Sequence, residues 1–110
     1  MPFAKSKPAR NVPVTRNEAG PAVSLTTVEE ILGLSVAEAQ RLYDRLTPRQ
    51  AEVARGMARG LTNRQIAEEL GISPKTGDIH RADVFDKLQT TTSAGVARVV
   101  YLVQLVDGAA

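Results

Sequence analysis

Residues 62–88 read TNRQIAEELGISPKTGDIHRADVFDKL, and this stretch predicts two helices joined by a tight turn. Thr62 is a helix cap, with Gln65 three residues later to complete a capping box. Asn63 to Leu70 then places Ile66, Ala67 and Leu70 on one helical face, and Leu61, just before the cap, can close over Ile66 as a hydrophobic staple. Gly71 supplies the backbone freedom for a sharp turn. Ile72 fits into the angle, Ser73 caps the next helix and Pro74 opens it, where a missing N–H costs nothing. A small Ala67 at the crossing, a glycine four residues on and a buried isoleucine after it form the packing signature of a helix-turn-helix.

The second helix, Pro74 to Leu88, divides into two faces at a period of 3.6 residues. Gly77, His80, Val84 and Leu88 form an inward stripe, with Phe85 at its edge. Lys75, Asp78, Ile79, Ala82 and Asp86 form the opposite, outward stripe. An isoleucine on an outward polar face suits contact with a thymine methyl in a DNA major groove.

Outward from this unit, capping-box spacings also occur at Thr26 with Glu29, Ser35 with Glu38, and Thr47 with Gln50, and Pro48 again follows a threonine. The pattern predicts helices near 27–33, 36–45, 48–59, 63–70, 74–88 and 93–106 and no strand: an all-α protein with short connections. Residues 1–24 carry four of the six prolines and no periodic apolar pattern, which predicts a disordered tail. That tail has a charge of +3 within a total of +2, whereas residues 25–45 carry −2. A basic arm tethered to a nearly neutral helical body fits a polyanionic partner, and such arms can enter a minor groove beside a helix-turn-helix.

The run from Leu46 to Gln89, LTPRQAEVARGMARGLTNRQIAEELGISPKTGDIHRADVFDKLQ, resembles the C-terminal DNA-binding domain of LuxR, NarL and FixJ regulators. Its TGDIHRADVFDKLQ end is most similar to the FixJ branch. The resemblance implies a four-helix helix-turn-helix domain over 46–106, preceded by extra N-terminal helices at 25–45 and the 1–24 tail. It also implies double-stranded DNA as partner, with Pro74–Leu88 as recognition helix. Lys75, Thr76 and Arg81 fall where the family touches phosphates, and Asp78, Ile79 and Ala82 where it meets base edges. Asn63 and Arg64 begin the scaffold helix, whose N-terminal N–H groups can hold a phosphate. Glu52 occupies the position of a structural glutamate. The last helix of the family usually forms a homodimer.

Three features depart from that pattern. The family expects a β-branched apolar residue, usually valine, at the position of Gly77; glycine forgoes burial worth about 1.5–3 kcal/mol and helix propensity worth about 1 kcal/mol. Within Pro74–Leu88, Lys75, Arg81 and Lys87 are balanced by Asp78, Asp83 and Asp86, although helix-turn-helix binding rests largely on phosphate neutralisation. The 45 residues upstream are too short for the receiver or ligand-binding domain that such regulators commonly carry, which predicts a stand-alone effector.

In the last helix, Val96, Val99, Val100, Val103 and Val106 form an inward stripe. Tyr101, Leu102 and Leu105 form a second apolar strip, which predicts a dimer surface involving Val99, Tyr101, Leu102, Leu105 and Val106, unless the 25–45 helices cover it. The chain has no cysteine and a single histidine. No metal cluster, phosphate loop or nucleophile arrangement appears, so no catalytic residue, metal, cofactor or small-molecule ligand is expected. No apolar run is long enough to span a membrane, and a cytoplasmic location is expected. Two alternatives to a transcriptional regulator share the pattern: a promoter-binding domain like region four of sigma factors, and a degenerate helix-turn-helix acting as a protein-interaction module.

Overall fold

Each of the six helices among the described residues begins on a side-chain hydroxyl that has an identifiable hydrogen-bonding task. The computed structural model describes residues 24–107, and among them are α1 (Leu25–Leu32), α2 (Val36–Tyr43), α3 (Pro48–Ala58), α4 (Asn63–Leu70), α5 (Pro74–Leu88) and α6 (Ser93–Asp107), with no strand. The all-α expectation is met. The basic tail lies outside the described residues except for Ser24.

Ser35, Thr47, Thr62 and Ser73 accept hydrogen bonds from the N–H groups of Glu38, Gln50, Gln65 and Thr76. Each such cap is worth about 1 kcal/mol. At Thr47 and Thr62 the reciprocal arm is also made, by the Gln50 and Gln65 side chains. At Ser35 the box is diverted, because the Glu38 carboxylate is held by the Arg41 guanidinium. The Thr92 hydroxyl accepts from Gly95 N–H at the start of α6.

Of the described residues, those up to Ile31 and those from Leu32 onward belong to two compact units. In the first, α1 starts two residues earlier than the sequence indicated: Ser24, not Thr26, is its cap, with Thr27 N–H on the Ser24 hydroxyl at 3.1 Å. Serine is the better cap of the two by intrinsic preference. None of the α1 residues is fully buried, and Leu25 and Ile31 are exposed.

In the second unit α6 packs against α2 and α3, while α5 packs against α3 and α4. Val53 of α3, Val84 of α5, and Val96, Val99, Val100 and Leu102 of α6 are the largest completely enclosed side chains. Arg45 reaches the Lys87 carbonyl at 3.2 Å, and Arg98 reaches the Leu32 carbonyl at 2.9 Å. Each thereby satisfies an acceptor near a helix end. No helix among the described residues is long and apolar enough to cross a membrane.

The final helix corrects the expected dimer strip. Val99 and Leu102, 1% and 0% exposed, belong to the chain's own core, whereas Tyr101, Leu105 and Val106 are exposed. Packing of α6 on two sides, by α2 and α3, buries an arc wide enough to take in Leu102, one turn beyond Val99. Val106, read from the sequence as inward, lies in line with that arc but in the last turn before the helix ends at Asp107. Tyr101 also has a polar task within the chain, since its hydroxyl donates to the Ala58 carbonyl near the end of α3.

Candidate nucleic-acid interface

The turn between α4 and α5 is built as the sequence indicates. Gly71 takes a left-handed conformation at φ 67°, which glycine adopts without steric cost. The next N–H, of Ile72, returns to the Ala67 carbonyl at 3.0 Å, the longer bond of a Schellman-type helix end. Ile66 and Ala67 are buried and Ile72 half-buried. Ser73 then starts α5 by accepting from Thr76 N–H at 3.1 Å, and its own hydroxyl donates to the Thr76 hydroxyl at 2.9 Å.

Gly77, Val84 and Leu88 of α5 are buried and His80 is half-buried, while Lys75, Thr76, Asp78, Ile79 and Ala82 are exposed. Ile79 is 55% exposed. Arg81 is half-buried, its guanidinium 4.7 Å from the centre of the Phe85 ring in cation–π geometry. Asn63 and Arg64 at the start of α4 are exposed. Arg64 pairs within its own helix with Glu68 at 3.6 Å, and Glu52 likewise pairs with Arg49 at 3.2 Å. Asn63 crosses to α5, its side-chain amide donating to an Asp78 carboxylate oxygen at 3.1 Å.

The charge balance of α5 differs by face. Asp83 and Lys87 are both half-buried and engaged by Gln50 of α3, which is only 6% exposed. The Gln50 amide donates to Asp83 at 3.3 Å, and its oxygen accepts from the Lys87 ammonium at 2.8 Å. That same oxygen accepts from Thr47 N–H in the α3 capping box. Lys75, Asp78 and Asp86 are thus the exposed charges of α5, with Arg81 laid across Phe85.

Two of these tasks were not legible in the sequence. Gln50 reads there only as the third residue of a capping box; its pairing with α5 depends on where two helices cross. Gly56 carried no signal, yet it lies buried where α3 meets α4, and a Cβ built on it would stand 2.9 Å from Ile66 Cγ1. Gly77 differs from Gly56 in having room. A Cβ there would lie 3.7 Å from Ala67 Cβ and 3.9 Å from Ile72 Cδ1, both ordinary contacts. The first turn of α5 is nonetheless regular, with Gly77 N–H on the Ser73 carbonyl at 3.0 Å.

The Escherichia coli transcriptional regulatory protein UhpA is 38% identical to this chain over 65 residues, 59% of the chain and 33% of UhpA. The Salmonella typhimurium tetrathionate response regulatory protein TtrR is 41% identical over 56 residues, 51% of the chain and 27% of TtrR. The transcriptional regulatory protein FixJ of Bradyrhizobium diazoefficiens is 30% identical over 97 residues, 88% of the chain and 44% of FixJ. The chain thus spans less than half the length of each of these relatives. No solved structure matches it. Residues 44–100, which hold α3, α4, α5 and the first half of α6, match the family described as "Bacterial regulatory proteins, luxR family", and the chain belongs to that family.

Proposed function

We propose that this chain is a DNA-binding transcriptional regulator that acts in the cytoplasm and inserts α5 into the major groove, with residues 46–106 as the DNA-binding domain. The observation that carries the reading is the outward face of α5. Lys75, Asp78, Ile79 and Ala82 lie exposed on the side opposite the buried Gly77, Val84 and Leu88. A major groove about 12 Å wide admits one helix so presented. Lys75, Thr76 and Arg81 serve as phosphate contacts, together with Asn63 and Arg64 at the start of α4. Asp78, Ile79 and Ala82 serve as base contacts, with Ile79 suited to a thymine methyl. The relatives named above are themselves called transcriptional or response regulatory proteins, which supports the same assignment.

The sparse positive charge of α5 makes one subunit a weak binder, because affinity depends on the number of phosphates neutralised. A homodimer joined through Tyr101, Leu105 and Val106 of α6 would double that number.

Binding of the full chain to duplex DNA across a salt series tests the reading. The affinity is expected to fall linearly on a logarithmic plot against salt, and Lys75→Ala to reduce the slope by about 1. Absence of binding at low salt by a folded protein would instead support a protein-interaction module.

A further inference from the structure

We infer that Asp78 and Asn63 form a two-residue reader of cytosine, with the Asp78 carboxylate as specificity-determining group and the Asn63 amide as its positioning partner. The inference rests on the proposed entry of α5 into the major groove. Asp78 is an exposed anion in the first half of that helix, in a place where phosphate attraction alone would select a cation or a neutral side chain. It is also not left to rotate in solvent. The Asn63 amide, at the first position of α4, donates to one carboxylate oxygen at 3.1 Å, which fixes the carboxylate relative to both helices of the turn.

A carboxylate so held only accepts hydrogen bonds, and this restricts what it can face. Guanine and thymine present acceptors (N7 and O6, and O4) on their major-groove edges, so either would leave two acceptors opposed. Adenine offers its N6 donor beside the N7 acceptor. Cytosine offers the N4 amino group with no acceptor beside it on its own edge. The remaining Asp78 oxygen is therefore matched to cytosine, and the carboxylate acts as much by penalising the wrong bases as by attracting the right one.

Selection from a randomised duplex library with the full chain tests this, followed by affinity measurements on the selected site with each base substituted. The expected site contains a cytosine whose replacement weakens binding about tenfold, the scale of one specific contact. Asp78→Asn is expected to move that position to adenine, for which an amide is the bidentate partner. Asp78→Ala is expected to remove the preference there while keeping the rest of the site. Asn63→Ala is expected to reduce discrimination at that same position with the salt slope changed by no more than one phosphate contact. An unchanged site for both Asp78 variants, in protein that still binds duplex DNA, would overturn this inference alone. Absence of duplex binding by the wild-type chain at low salt would overturn the DNA reading and this one with it.

Discussion

Gly77 and Gly56 are both buried glycines within helices, and opposite responses to the same added methyl are expected. At Gly77 the new carbon would meet Ala67 and Ile72 at ordinary contact distance and would improve helix propensity by about 1 kcal/mol. Gly77→Ala is therefore expected to raise the melting temperature by roughly 4–8 °C, the shift such an increment gives in a domain of this size. At Gly56 the new carbon would press on Ile66 Cγ1 at 2.9 Å. Gly56→Ala is expected to destabilise by about 1–3 kcal/mol, the usual cost of overfilling a packed site, despite the gain in propensity. Thermal unfolding of the two variants side by side checks both signs. The unusual nature of Gly77 was visible in the sequence because the resemblance set an expectation of valine there. Gly56 left no trace of that kind, since the closeness of α3 to α4 is a property of the crossing and not of either helix alone.

Helices were legible where their ends carry chemistry. Thr47, Thr62 and Ser73 cap as their spacing indicates, and α4 and α5 begin and end at the expected residues. Competing hydroxyls a few residues apart explain the one misplaced start, since Ser24 took the role expected of Thr26. Connections between helices were less legible, and Gln50 shows why. Its capping partner is three residues away, but Asp83 and Lys87 are 33 and 37 residues away. Gln50→Ala removes the three side-chain bonds, to Thr47 N–H, Asp83 and Lys87, at once, while the backbone N–H of residue 50 keeps its bond to the Thr47 hydroxyl. Its expected cost is about 2–3 kcal/mol, at roughly 1 kcal/mol for each bond lost. A double-mutant cycle of Gln50→Ala with Lys87→Ala, read by denaturant unfolding, is expected to show a coupling of about 0.5–3 kcal/mol. Strict additivity would mean that the α3–α5 bond contributes nothing.

For the molecule as a whole, the sequence separated the two faces of α5 by period alone, because a helix with one packed side follows a simple 3.6-residue rule. It failed in part on α6 because that helix is packed on two sides: Leu102 left the expected surface strip for the core, and Val99, read both as inward and as part of the dimer surface, is buried as the inward reading has it. What remains outside is a smaller patch of Tyr101, Leu105 and Val106. Leu105, 57% exposed, is the place to test association without disturbing the core. Leu105→Glu is expected to leave the unfolding transition of the dilute protein nearly unchanged, as surface substitutions usually do within about 0.5 kcal/mol. It is also expected to shift the sedimentation behaviour of the concentrated protein toward monomer and to weaken binding to a two-half-site duplex. An unaltered sedimentation profile of a dimer would place the subunit contact elsewhere.

The amide of Gln50 has a consequence for how ionic strength acts on this protein. The Lys87 ammonium and the Asp83 carboxylate, both half-buried, are held through the neutral amide of Gln50, which is itself buried, and mobile ions screen such part-buried contacts less than exposed charges. In the proposed complex with DNA, salt would then strip phosphates from Lys75 and its neighbours long before it changed the tilt at which α5 is offered. Loss of grip and loss of aim are thereby uncoupled: a concentrated electrolyte would release the DNA and leave the reading head still pointed.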